Sequence, residues 1–376
     1  MACSQPVSLY VHIPWCRVRC GYCDFNTYVA DTSDPGVTSP YVCALLREMD
    51  LAARRIGRRR VETVYFGGGT PTLMPLADYA RIMAAVRDRF DLSPDAEVTT
   101  EANPETVAPD VLEGLRNCGI NRLSMGMQSA APHVLATLDR AHTPGRVTQA
   151  VAWARTAGFE DVSLDLIYGT PGESMADWGQ SVDAALALEP DHLSAYSLIV
   201  EEGTPMARRM AAGQLPYPDE DDLADKYLVA DERFAAAGLE WYEVSNWARP
   251  GHECRHNMVY WRGGDWWGLG AGAHSHLAGR RWWNHRRPLT YEAALEGGQS
   301  PAAGSEHPTA EQTRVEMIML GIRLSEGFDA ALLTSTETAR VEAYVAAGQM
   351  RRRGDRLICA KQGRLLADGI VREILD

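Results

Sequence analysis

Six apolar or β-branched runs recur along the first part of this chain and confine it to a narrow set of folds. They are SLYVHI from Ser8, TVYF from Thr63, EVTTEA from Glu97, NRLSMG from Asn121, DVSLDLIYG from Asp161 and HLSAYSLIV from His192. Between them lie Ala- and Leu-rich segments with helical apolar periodicity. PLADYARIMAAVRDRF is one and SMADWGQSVDAALAL another, the latter with Ser174 placed to cap it. Strands alternating with helices predict an α/β fold around a parallel sheet. Periodicity leaves an open doubly wound sheet and a curved partial barrel both open.

The alternation occupies residues 1–235. Residues 236–300 form an aromatic-rich extension, with seven of the ten tryptophans between Trp241 and Trp283. The stretch GGQSPAAGSEHP then marks a boundary. Residues 305–376 read as two helices followed by two short strands, RLICA and GRLLAD, the order of a small winged-helix-like α+β module. Such modules often bind DNA. Here ten basic and eleven acidic residues from Ser305 onward leave no basic footprint, so a packing or lid role is expected.

The net charge of −13 sets the chain against bulk phosphate binding, and no nucleic-acid partner is expected. Schiff-base chemistry has only Lys226 and Lys361 to draw on. No run approaches the roughly 18–20 apolar residues that span a bilayer. The opening MACSQPVSLYVHIPW lacks the basic and apolar regions of a secretory signal, so a cytoplasmic location is expected. In that reducing compartment the eight cysteines read as metal ligands or free thiols. Cys3, Cys43, Cys118, Cys254 and Cys359 are scattered, whereas Cys16, Cys20 and Cys23 cluster just after the first strand.

That cluster, C-x3-C-x2-C, can wrap one face of a cubane [4Fe–4S] cluster with three thiolates. One iron is then left open to bind a small molecule, as an open zinc position is. Zinc is the alternative, but structural zinc sites take four ligands and usually pair two C-x2-C units, and no second unit follows.

The motif, with Tyr22 before its third cysteine, resembles the radical S-adenosylmethionine (SAM) superfamily. VYFGGGTPTLM, EANPE, LSMGMQS, LDRAHT and DLIYGTPGES resemble the oxygen-independent coproporphyrinogen III oxidase family. CDFNTY and HNMVYW are similar to its HemW haem-chaperone branch. The likeness runs along nearly the whole chain. It implies that the six strands form a partial (β/α)6 radical SAM barrel, with a [4Fe–4S] cluster and SAM as cofactors. In such proteins an electron from the cluster cleaves SAM to a 5′-deoxyadenosyl radical.

The resemblance also implies site residues. Cys16, Cys20 and Cys23 would hold the iron. Gly68, Gly69 and Thr70 follow the second strand, where glycines let backbone approach the methionine end of SAM; a tight turn is the other reading. Glu101 and Gln128 end their strands and Asp165 lies within its own, so all three would converge at the C-terminal end of a barrel. Tyr10, Tyr22 and Arg140 complete the implied SAM contacts. Relatives place a second SAM nearby, against Tyr22, Gln128, Arg140 and Asp165. Two departures point away from decarboxylation: Phe25 stands where the oxidases carry a fourth cysteine, and the segment ahead of the first strand is short.

His256, within HNMVYW, is the candidate axial ligand of haem, with Cys254, His252, His274 and His276 as others. A hydrogen-bonded core histidine is the other reading of His256. The expectation is a haem chaperone that passes haem to an acceptor protein, membrane-associated acceptors included. An electron donor such as a flavodoxin or ferredoxin would serve its cluster. Whether the chain turns SAM over is left open. The alternatives are an anaerobic coproporphyrinogen III oxidase, or another radical transfer, for which no cysteine pair for an auxiliary cluster is present.

Overall fold

The computed structural model describes residues 5–140, 143 and 145–376. Cys3 and two residues of the LDRAHT motif, Ala141 and His142, lie outside them. All six expected strands are present: β1 (Val7–Ile13), β2 (Arg60–Gly68), β3 (Asp91–Ala102), β4 (Arg122–Gln128), β5 (Asp161–Tyr168) and β6 (His192–Ser197). They pair in parallel in chain order. The long helices between them are α1 (Pro35–Ile56), α2 (Leu76–Arg89), α3 (Pro109–Cys118), α4 (Arg146–Thr156) and α5 (Met175–Leu186). Ser174 caps α5, exchanging bonds with Asp177 in a capping box.

Side chains alternate across each strand. In β1, Val7, Leu9, Val11 and Ile13 are fully buried in the core that joins sheet and helices. The opposite face is polar. Tyr65, Thr99, Glu101, Ser124, Ser163, Asp165 and Ser194 turn to a common cavity. A sheet whose inner face is hydroxyls and carboxylates is built to hold a polar guest.

The Trp-rich segment is woven into this sheet. β7 (Glu240–Glu243) and β8 (Asn246–Ala248) add antiparallel beyond β6. β9 (Trp266–Leu269) pairs parallel with β1. β10 (His274–Leu277), β11 (Arg280–Asn284) and β12 (Ala302–Glu306) continue antiparallel to the edge. The result is one twelve-stranded sheet, open at both edges. β12 falls inside the stretch expected to be a loop. Its small residues carry no alternation, and Gly304 lies where a Cβ would strike the Trp283 ring.

The C-terminal region has its own core, in which Ile318, Ile322, Phe328, Val341, Leu357 and Ile370 pack together. Helices Ala310–Gly321 and Ser335–Ala346 precede a hairpin of Met350–Arg353 and Arg356–Cys359, and helix Ala367–Leu375 follows, in winged-helix-like order. RLICA is the second hairpin strand, as expected. GRLLAD is not a strand: its residues fall in Lys361–Arg364, the following turn and the last helix. The partner of RLIC is Met350–Arg353, joined through Gly354 at a φ of 59° that suits glycine.

Candidate cofactor cavity at the strand ends

A cavity of about 700 Å³ opens at the C-terminal ends of the parallel strands. Cys16, Cys20 and Cys23 line one wall, with Tyr22 and Phe25. Gly68, Gly69, Thr70, Glu101, Gln128, Arg140 and Asp165 line the rest. The structure thus brings together residues drawn from five separate strand ends and loops.

Local sequence explains how the cysteine loop is held. Trp15–Cys16 pairs with Tyr28–Val29. His12 shares a hydrogen bond from Nε2 to the Asn26 carbonyl, 2.9 Å. The Asn26 side chain donates to the carbonyls of Ala271 and Arg286, and the Tyr28 hydroxyl donates to that of Arg286. The signature CDFNTY therefore ties the loop to the segment after β9. His12 and Asn26 escaped the sequence reading because their partners are backbone atoms distant in the chain.

The glycine run lines the cavity and also holds the cysteine loop. The Gly69 N–H donates to the Ile13 carbonyl and the Thr70 N–H to that of Trp15, both 2.8 Å. A Cβ on Gly69 would meet the Trp15 carbonyl, a backbone atom with nowhere to go. The run clamps the cysteine loop from below. Thr70 Oγ1 also reaches Cys16 Sγ at 3.8 Å.

Glu101 is half-buried on the cavity wall. Its carboxylate accepts from the Gly68 N–H and the Tyr65 hydroxyl, each 3.0 Å. Burial nevertheless raises its pKa to about 7, and Asp165 adds to the rise. Asp165 is likewise pushed up by burial, while the hydroxyls of Ser194 and Ser124 oppose the shift. Both carboxyls can accept hydrogen bonds from a hydroxyl-rich ligand. Gln128 has a φ of 64°, unusual for a residue other than glycine, at a register shift between β4 and β5. The bulge aims its amide into the cavity. Beside it, Arg140 leaves its Nε buried without a partner among the described residues. A Cβ on Gly126 would collide with both Gln128 Nε2 and Arg140 Nη2, so the absent side chain makes room for the pair.

Two expected contacts lie elsewhere. Tyr10 is not on the cavity wall; its hydroxyl bonds His12 Nδ1 at 3.0 Å. His256 is not on it either. The helix Arg255–Trp261 closes the bottom of the strands, its first N–H groups donating to the Glu97 carboxylate at 2.9 Å. The ring of His256 is 1% exposed, with Nδ1 at 2.7 Å from Thr63 Oγ1 and Nε2 at 2.7 Å from the Tyr260 hydroxyl. Burial drives its pKa down to about 3. Both nitrogens are spent inside the fold, so the structure does not offer His256 to haem iron. His252 Nδ1 pairs with Asp161 at 2.5 Å, and His276 Nδ1 with the Gly264 carbonyl. Cys254 does reach the cavity floor beside Asn257, but burial pushes its thiol far up. His256→Ala should cost about 2–4 kcal/mol of stability, through two lost buried bonds and a void. Thermal unfolding measures it.

The residues present fit a cluster and SAM. Three thiols are spread over one wall. Thiolates are the ligands such a cluster takes. The opposite wall supplies carboxyls, an amide and a guanidinium with a spare donor, suited to a charged amino acid joined to a ribose.

Residues 10–185 match the family model of the Radical SAM superfamily. "Heme chaperone HemW" of Mycobacterium tuberculosis (strain ATCC 25618 / H37Rv) is 50% identical over 374 residues, 99% of this chain and 95% of that protein. "Heme chaperone HemW" of Escherichia coli (strain K12) is 39% identical, covering 72% of this chain and 70% of its own. The structure of coproporphyrinogen III oxidase (HemN) from Escherichia coli superposes with a TM-score of 0.86 at 23% identity, over 98% of this chain and 90% of that one, a likeness of fold. At half identity along almost its entire length, the chain belongs to the HemW haem-chaperone family within the radical SAM superfamily.

Proposed function

We propose that this protein is a haem chaperone that carries a [4Fe–4S] cluster on Cys16, Cys20 and Cys23 and SAM in the adjoining cavity, and that it delivers haem to an acceptor protein. The observation that carries the reading is the meeting of the three thiols with Gly68–Thr70, Glu101, Gln128, Arg140 and Asp165 around one cavity. When bound, the cluster and SAM supply one-electron chemistry. The chain's own residues do the rest. The clamp from Gly69 and Thr70 fixes the cysteine loop, Glu101 and Asp165 accept hydrogen bonds, and Arg140 offers its free donor to a carboxylate.

The cavity is sized for about one drug-sized ligand, so haem belongs outside the space that SAM fills. An electron donor of the flavodoxin or ferredoxin type would reduce the cluster. No helix among the described residues is long and apolar enough to cross a membrane; the proposed location is the cytoplasm, with the acceptor free or at a membrane.

The test uses one anaerobic preparation. Loaded with haem, it should pass haem to an apo-haemoprotein. Reduced and given SAM, it should leave coproporphyrinogen III unchanged, because Phe25 occupies the position of the oxidases' fourth cysteine. Rapid decarboxylation would establish the oxidase reading instead.

A further inference from the structure

The wall of the cavity that meets solvent differs from the rest. Val18, Phe25 and Ile199 are 69%, 60% and 66% exposed, although all three line the cavity. Exposed together at one mouth, a phenylalanine and two branched aliphatics give the rim an apolar character. The two sides of this rim are joined, since the Met206 N–H donates to the Gly21 carbonyl at 2.9 Å. Val18 stands between Arg17 and Arg19, which line the same mouth and are exposed. Among the described residues neither forms an ion pair with a carboxylate. Arg19 instead donates to the Cys23 carbonyl, 3.3 Å. In a chain of net charge −13, two arginines without an ion-pair partner among the described residues, one residue apart, make the mouth locally positive.

We infer that haem docks across this mouth, its macrocycle on Phe25, Val18 and Ile199 and its propionates on Arg17 and Arg19. The inference rests on the haem-chaperone reading and gives it a site. A porphyrin is flat and apolar with carboxylates along one edge, and the rim carries both complementary chemistries: exposed apolar side chains and two guanidiniums. Aromatic stacking and desolvation supply affinity, and guanidinium–carboxylate pairing sets orientation. Asp24 and Glu201 lie on the same rim and would repel carboxylates, so the propionate edge faces Arg17 and Arg19. Haem placed here lies over the cavity that holds the thiols, rather than at the opposite end of the strands, where His256 is sealed.

Haem titration of the cluster-loaded protein, followed in the Soret region, tests this. Phe25→Asp with Ile199→Asp should weaken haem binding at least about tenfold. Iron, sulfide and SAM are measured on the same variant: haem lost with all three retained supports the site, whereas haem lost only together with iron overturns it. Arg17→Ala with Arg19→Ala should weaken haem, yet leave the affinity for protoporphyrin dimethyl ester unchanged, because the ester has no carboxylates to lose. His256→Ala, where it remains folded, should bind haem as before. Unaltered haem affinity in both rim variants overturns the inference while leaving the chaperone reading intact. So does a rim variant that loses only reduction by a flavodoxin, which would make the rim a protein-docking face. An unaltered protein that binds no haem overturns both.

Discussion

Anaerobically purified protein with Cys16, Cys20 and Cys23 all replaced by Ala is expected to hold no iron and no sulfide, against about four irons in the unaltered chain. The reason is that no other thiol among the described residues is placed to step in. Cys254 sits on the cavity floor against Glu97, its thiol pushed up by burial, and Cys43, Cys118 and Cys359 are not on the cavity wall. The fold should survive the change. Cys20 and Cys23 are only partly buried, and the loop is held by backbone bonds and by Asn26 rather than by sulfur. Circular dichroism should therefore be unchanged when the metal analysis reads zero. A triple variant that keeps sulfide and iron would place the cluster elsewhere.

The glycines separate the two cofactors. Gly126→Val pushes against Gln128 Nε2 and Arg140 Nη2, both ends of flexible side chains. The backbone stays, the two side chains leave the cavity, and SAM affinity should fall by about 10–100-fold while the iron content holds. Gly69→Val pushes against the carbonyl of Trp15, which cannot swing away. That variant should displace Cys16 and lose cluster and SAM together. The sequence alone suggested that Gly69 faced the methionine pocket, which would have spared the cluster. Equal SAM binding by the Gly126 variant and the unaltered chain would show that Gln128 and Arg140 are not contacts.

The contrast illustrates what a sequence carries. The six strands were legible because each is a short apolar run bounded by helical segments, and β2 to β6 are neighbours in both chain and space. The cavity residues were legible because they follow those strands at their C-terminal ends. The edges were not. β9 pairs with β1 across more than 250 residues, and no local pattern signals such a pairing. β12 has no alternation to read. GRLLAD looked like a strand, yet Leu365 and Leu366 are half exposed and a Cβ on Gly363 would strike the Gln349 carbonyl. His256 shows the same limit at a site. Its motif is genuine, but burial and two hydroxyl partners make it part of the barrel floor, and a sequence does not report which partners a histidine finds.

The account turns on SAM meeting the iron that no thiolate holds. The electron paramagnetic resonance spectrum of the reduced protein, recorded with and without SAM, tests this directly. The signal should change on adding SAM to the unaltered chain and stay unchanged in Gly126→Val at the same SAM concentration, with equal iron in both. A fully loaded, unaltered protein whose spectrum is indifferent to saturating SAM would contradict the account.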